Sequence, residues 1–318
     1  MKITVISFDF WNYDAHIVDV LLQSGIEAHH INIGAYSHKN LSAKVQNAIS
    51  KTLFKKNLKK KKRQEFILSE LKKLGKQDQI LVINPELIED ECHEKIREYT
   101  PKYIAYLYDS LARCPSQHLL HFFNEIFSFD KNDVQQNGFK LITNYNYLPK
   151  KTTIQKPKYD LVYLASFDDR MKTAKTIAEK ITSFGKTFHY MIVGKKSWKK
   201  KYFGGNTKHW NFTKKRMQHE KIPEFYAEGN VLLDLVRENQ DGLSFRIFEA
   251  MALEKKIITN NETILEYDFF NPNNILILKN EGANITEEFF ATPYEKLPED
   301  IYYKYSLDNW VKTVFNLE

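Results

Sequence analysis

Apolar residues fall along this chain in two rhythms, short unbroken runs and stripes three or four positions apart, and the two alternate. Lys2–Phe8, Ala28–Ile33, Ile80–Ile83, Tyr103–Leu107, Ile126–Phe129 and Lys140–Thr143 are runs, and each predicts a strand. Between them, Ala15–Ser24 carries a helical stripe closed by Gly25, and Pro85–Tyr99 predicts a helix opened by its proline. Val45, Ile49 and Leu53, then Phe66, Ile67, Leu71 and Leu74, keep helical spacing on either side of Lys59–Glu65. That central stretch is polar all round and is expected to project into solvent. Strands alternating with helices predict a parallel sheet covered on both faces.

Near Pro149 the rhythm breaks. PKKTTIQKPKYD has two prolines and no apolar period, which suits an interdomain linker. Alternation then resumes, with strands expected at Leu161–Ala165, Phe188–Val193, Val231–Leu235, Lys256–Thr259 and Asn274–Leu278, and helices at Met171–Phe184 and Phe245–Leu253. Leu307, Trp310, Val311, Val314 and Phe315 form an amphipathic stripe that needs a partner surface. The expectation is an α/β chain of two Rossmann-like, doubly wound domains, 1–150 and 151–305, facing each other across a cleft. A terminal helix, 306–318, is expected to pack back across them.

Composition narrows the class. The length of 318 residues suits two domains, and 42% hydrophobic with 27% charged residues is an ordinary globular balance. No run approaches the roughly 18 apolar residues that cross a bilayer, and the first ten residues lack the features of a signal peptide. Cys92 and Cys114 make neither a disulfide framework nor a metal spacing, so a reducing cytoplasm is expected. The formal charge of +7 is concentrated in residues 51–63, which hold eight Lys/Arg and no acid. Lys55, Lys56, Lys59, Lys60, Lys61, Lys62 and Arg63 suit an anionic membrane surface, where each cation adds about 1 kcal/mol, or nucleic acid. A solvated helix face explains the same run.

In open parallel sheets, ligands bind outside the carboxyl ends of the strands. The stretch Asp234–Asn261 places Asp241 and Gly242 in a loop after a strand and opens a helix at Ser244. Gly242 lets backbone approach a ligand, Ser244 can cap the helix, and first-turn N–H groups suit a diphosphate. Arg246 adds a guanidinium fork that fits phosphate. Glu249, five residues beyond Ser244, stands about 7.5 Å further along the axis, within reach of ribose hydroxyls. A capped helix with a satisfied surface glutamate is the plainer account.

This stretch resembles the C-terminal domain of the group-1 glycosyltransferases, in which an acid, seven residues and then Glu in E-A-M-A lead into a buried strand. Asp241 and Glu249 have that spacing, and Glu249-Ala250-Met251-Ala252 matches it. GLSFRIFEAMALEKKIITNN, EYDFFNPNNILIL and KYSLDNWVKTVF look similar to bacterial lipopolysaccharide and capsule transferases related to the spore-maturation protein B type. YLYDSLARCP and FSFDKNDVQQNGFK extend the likeness into the first half. The resemblance implies a GT-B fold, a nucleotide-sugar donor held by the second domain, and a surface glycan or glycolipid acceptor met by the first. It implies basic side chains and helix dipoles at the diphosphate, with no cofactor and no metal, and a retaining reaction is slightly favoured over an inverting one. Glu249 would fix the ribose and Asp241 the donor sugar. Asp241 stands where many such enzymes have Glu, and Glu254-Lys255 replaces a small or glycine-containing turn.

Other strand ends add candidates. Arg170, in ASFDDR, is placed to neutralise a diphosphate, while Asp168 or Asp169 is expected to cap the following helix rather than bind a metal. Gly194 and Lys195 follow another strand, where a lysine either reaches phosphate or joins a solvated patch with Lys199–Lys201. Asp109 is the candidate base, its competing role being to cap the next helix. Asp9, Asn12 and His16 surround the end of the first strand, and Asp130 and Asp133 are expected to start a helix. A catalytically silent scaffold and a nucleic-acid-binding protein remain as alternatives, although Asp241 and Glu249 would repel phosphates and no nucleic acid is expected.

Overall fold

The computed structural model describes residues 1–9, 11–34, 58–149, 156–194, 209–237 and 241–318. The chain forms two compact units, Met1–Thr143 with Leu307–Glu318, and Asn144–Ser306.

The first unit runs β1 (Lys2–Ser7), α1 (Ala15–Gln23), β2 (Glu27–Asn32), α2 (Leu58–Leu74), β3 (Gln79–Ile83), α3 (Asp90–Arg97), β4 (Lys102–Leu107), β5 (Glu125–Ser128), α4 (Lys131–Asn137) and β6 (Lys140–Leu141). Its sheet has the order β2-β1-β3-β4-β5-β6, with every pairing parallel. Burial on both faces explains the unbroken runs, since all five residues of β3 and the last five of β4 are buried. The chain adds β2 on one side of β1 and β3 on the other, so strand order switches at β1/β3.

Two expectations for this unit are corrected. Pro85–Tyr99 is a single-turn 3-10 helix at Pro85–Leu87 followed by α3, because Ile88 and Glu89 are extended. The polar stretch of α2 does not simply project into solvent. Gln64 is buried, taking a hydrogen bond from Glu89 N and giving one to Leu87 O, and the Arg63 guanidinium lies 4.8 Å from the Phe8 ring centroid. Long polar side chains can cover apolar surface with their stems, which an all-polar reading of the run ignores.

The terminal helix Leu307–Phe315 belongs to this first unit. Its whole apolar stripe is buried. Trp310 donates from Nε1 to Thr143 O at 3.1 Å and meets Tyr106 edge-on, and Gln79 Nε2 donates to Phe315 O at 2.9 Å.

The second unit runs β7 (Tyr159–Ser166), α5 (Met171–Ser183), β8 (Phe188–Val193), β9 (Trp210–Thr213), α6 (Ile222–Ala227), β10 (Gly229–Asp234), α7 (Phe245–Ala252), β11 (Lys256–Thr259), β12 (Ile275–Ile277), α8 (Glu287–Ala291) and α9 (Glu299–Lys304). The parallel sheet has the order β12-β11-β10-β7-β8-β9. Alternate strand residues feed two cores. Leu161, Tyr163 and Leu233 pack with Ile177 and Ile181 of α5, while Val162, Leu164 and Leu232 pack with Ile247 and Phe248 of α7. Helices thus cover both faces, and strand order switches between β7 and β10.

Candidate functional site

At a switch point the loops from two neighbouring strands leave toward opposite faces, and a crevice opens between them. In the second unit they contain residues 167–170, after β7, and the described residues 235–237 and 241–244, after β10. Both carry the charged residues singled out above.

Asp234, the last residue of β10, is 1% exposed and organises the base of this region. Its Oδ1 accepts from Ser244 Oγ at 2.7 Å and Arg246 Nη1 at 2.5 Å, and its Oδ2 from Thr259 Oγ1 at 3.1 Å. Arg246 also donates from Nη2 to Leu164 O, at the end of β7, and from Nε to the Tyr226 hydroxyl. One guanidinium therefore ties together β7, β10, α6 and α7. Burial works against its charge, but Tyr226, Asp234 and Tyr163 outweigh it and hold the Arg246 pKa above its ordinary value. Sequence reasoning did not single out Asp234 as a site residue, although a carboxylate ending a buried strand is a signal of such a partner.

Ser244 occupies the N-cap position of α7, yet its hydroxyl serves Asp234 and makes no cap bond. The capping expected of it is corrected on that ground. Asn261 donates from Nδ2 to Asp241 O and Gly242 O, and Thr263 Oγ1 donates to Asp241 O at 2.7 Å, so the backbone before the helix is pinned by the turn after β11. Glu249 is 1% exposed, which corrects the plainer account of it as a surface residue. Its Oε1 accepts from the Tyr147 hydroxyl at 2.7 Å, and the Tyr147 ring stacks on His219.

Across the switch point, Asp168 and Asp169 do not cap α5, whose N-cap is Arg170 without a side-chain cap bond. Asp168 instead grips Arg170, with Oδ1 to Nε at 2.8 Å and Oδ2 to Nη2 at 2.6 Å. Arg237 Nε reaches the same Oδ2 at 3.3 Å, and Arg170 Nη1 donates to Leu235 O at 2.7 Å. Burial raises the Asp168 carboxyl, but the hydrogen bond and charge of Arg170 with the charge of Arg237 overcome it and leave it below the usual carboxylate range. Gly194 closes β8 where a Cβ would stand 2.9 Å from Phe167 Cβ, so packing alone accounts for the glycine. Lys195 lies outside the described residues.

In the first unit, Asp109 follows β4 and is 3.4 Å from Arg113. No helix begins there among the described residues; the chain turns, with Cys114 N bonding Ser110 O, so the capping role has no helix to serve. Asp9 performs a capping function instead, accepting from the backbone N–H groups of Asp14 and Ala15 at the start of α1. Asp14, fully buried beside it, is pushed up to about 8 by burial and by the Asp9 charge. Asp9, Asn12 and Asn84 all have positive φ, clustering left-handed backbone at the carboxyl ends of β1 and β3. His16 is half-buried on α1, 3.9 Å from Asp19. Asp130 caps α4, as expected, by accepting from Asp133 N.

In the basic run, Lys60 lies 3.4 Å from Glu89 and Lys61 3.9 Å from Glu65, Lys62 is half-buried, and Arg63 lies over Phe8. Lys55, Lys56 and the side chain of Lys59 lie outside the described residues. Among the described residues, no His, Cys, Asp or Glu cluster could hold a metal, and no helix is long and apolar enough to cross a membrane.

Residues 171–299 match the family model described as glycosyl transferase-like. No curated protein matches the chain in sequence. Solved structures match its full length. The apo lipopolysaccharide outer core galactosyltransferase WaaB superposes with a TM-score of 0.60 at 13% identity, covering 99% of each chain. The catalytic domain of starch synthase IV from Arabidopsis thaliana, bound to ADP and acarbose, gives 0.61 at 8% identity, covering 100% of this chain and 98% of that one. An α-glucosyltransferase in complex with UDP and a DNA 13-mer gives 0.56 at 11%, covering 100% and 94%. The fold is GT-B, the chain resembles the group-1 glycosyltransferases, and together the family match and fold support a glycosyltransferase.

Proposed function

We propose that the chain transfers a sugar from a nucleotide-sugar donor, held by its second unit, to a hydroxyl of a bacterial surface glycan such as lipopolysaccharide or capsule. One observation carries the reading: at the β7/β10 switch point, the N-terminal end of α7 sits over the Asp234–Arg246 pair, with the Ser244 hydroxyl drawn to Asp234 and Glu249 one and a half turns on. The dipole at a helix N-terminus favours an anion, and the departing diphosphate is the anion of this reaction. Its developing charge would be met by that helix end and by Arg170. Arg246 acts mainly by holding the loops in place, since three of its donors are committed to the protein.

Glu249 then binds the ribose, whose hydroxyls take the place of the Tyr147 hydroxyl at Oε1, and Asp241 meets the donor sugar. No metal or cofactor enters the scheme. If configuration is retained, the diphosphate itself takes the acceptor's proton; if it is inverted, Asp109 is the base. The name of WaaB carries the lipopolysaccharide outer core, and DNA is present with the α-glucosyltransferase. Release of nucleotide from a panel of UDP- and ADP-sugars, with truncated lipopolysaccharide or duplex DNA as acceptor, tests both choices. Acceptor-dependent release with the glycan supports the proposal, and release with DNA alone overturns its acceptor.

Peripheral attachment to an anionic membrane is a further part of the reading. With Lys60 and Lys61 partnered by glutamates, it rests mainly on the rest of the basic run. Flotation with vesicles rich in phosphatidylglycerol at low salt tests it, and a protein left wholly in the pellet fraction contradicts it.

A further inference from the structure

Two arginines converge on one carboxylate at the mouth of the second unit's crevice. Asp168 sits on a loop between β7 and α5, its side chain 26% exposed, with Arg170 at 17% and Arg237 at 42%. Its two oxygens accept from Arg170 Nε, Arg170 Nη2 and Arg237 Nε, with a further bond from Arg170 N at 3.3 Å. This is the fork geometry with which guanidinium groups bind phosphate. Arg170 is also fixed from the far side by Leu235 O, beyond β10, so the guanidinium stays at the switch point when the carboxylate leaves. Asp168 lies in the turn that leads into α5, and its partial exposure keeps the cost of returning its carboxylate to water small.

We propose that Asp168 is a built-in anion on the arginine pair, and that the donor's diphosphate must displace it to bind. The identity of the displacing ligand rests on the donor reading above; the occupancy of the pair by Asp168 does not. A diphosphate carries more charge than one carboxylate and offers oxygens to both guanidinium groups, so it wins the exchange. The carboxylate lowers affinity for every anion and thereby selects ligands with more than one phosphate charge. It also offsets part of the repulsion between the like charges of Arg170 and Arg237.

Titration with inorganic pyrophosphate tests the idea without assuming any nucleotide. Asp168→Ala and Asp168→Asn are expected to bind it about five- to tenfold more tightly than the unaltered protein, with the gain shrinking at high salt. Asp168→Glu, which keeps the charge, is expected to stay near the original affinity. Each variant's thermal shift is read against its own unliganded transition, so a loss of stability is not mistaken for a loss of binding. Equal or weaker binding by both charge-removing variants would overturn the proposal, making Asp168 a group that orients Arg170 for phosphate. Absence of pyrophosphate binding in every protein would overturn it too. Tighter pyrophosphate binding with no response to any nucleotide-sugar would leave Asp168 as the internal anion and remove the donor reading instead.

Discussion

Asp234 and Arg246, twelve residues apart in sequence, form a 2.5 Å ion pair at the carboxyl end of β10, with the carboxylate 1% exposed. A charge so placed survives because its oxygens are filled by Ser244, Arg246 and Thr259. Removing one partner leaves the other buried and uncompensated. Arg246→Ala and Asp234→Ala are each expected to destabilise the second unit by about 3–5 kcal/mol. Urea unfolding measures it, and a loss below about 1 kcal/mol would mean that water or a neighbouring group replaces the partner.

Gly229 opens β10 directly against Val162 of β7, where a Cβ would stand 2.5 Å from Val162 Cγ2. Valine is stiff at χ1 and cannot swing away at low cost. Gly229→Ala is therefore expected to cost about 1–3 kcal/mol by overpacking. The double variant Gly229→Ala with Val162→Ala should recover part of that loss in the same unfolding experiment.

Glu254 follows the end of α7 with φ of 51°, the left-handed conformation that glycine takes without penalty. Glu254→Gly is expected to raise the thermal midpoint, by about 1 kcal/mol of relieved backbone strain. Its contact with Lys296 is exposed on the lysine side and subtracts little. A lowered midpoint would show that this ion pair outweighs the backbone.

His93 sits neutral in the first unit. Its Nε2–H donates to Pro85 O at 3.1 Å and its Nδ1 accepts from the Tyr103 hydroxyl at 2.8 Å. Burial pushes its pKa down to about 4, from the usual 6.5. Between those values the unfolded chain binds the extra proton and the folded one does not, so stability rises with pH across that window. Acidification from pH 6.5 to 4 should cost on the order of 3 kcal/mol from this residue alone. His93→Gln, followed by pH-dependent unfolding, should flatten that part of the profile.

How much was legible in advance depended on whether a side chain's partner was local. The buried strands β1, β3, β4, β7 and β8 announce themselves because both sheet faces are covered and their runs are mostly apolar. The four-residue β9 carries a weak signal because only Trp210 and Phe212 are buried and the strand is short. α6 is faint for a similar reason, at six residues with a proline second. The 241–249 spacing marks the loop and helix that follow β10. What Ser244, Asp168 and Arg246 do there depends on Asp234, Leu235 and Leu164, which folding brings from other strands. Local rules assign a serine before a helix and an aspartate near one to capping, and tertiary partners overrode them.

The central claim is that the second unit holds a nucleotide-sugar with its ribose on Glu249. Calorimetric titration of the unaltered protein and of Glu249→Gln, with UDP, ADP and their sugars, tests it directly. One nucleotide family is expected to bind the unaltered protein, and Glu249→Gln to weaken it by about ten- to a hundredfold, the worth of hydrogen bonds to a buried carboxylate. Equal affinity in the two proteins, or binding by neither, would contradict it.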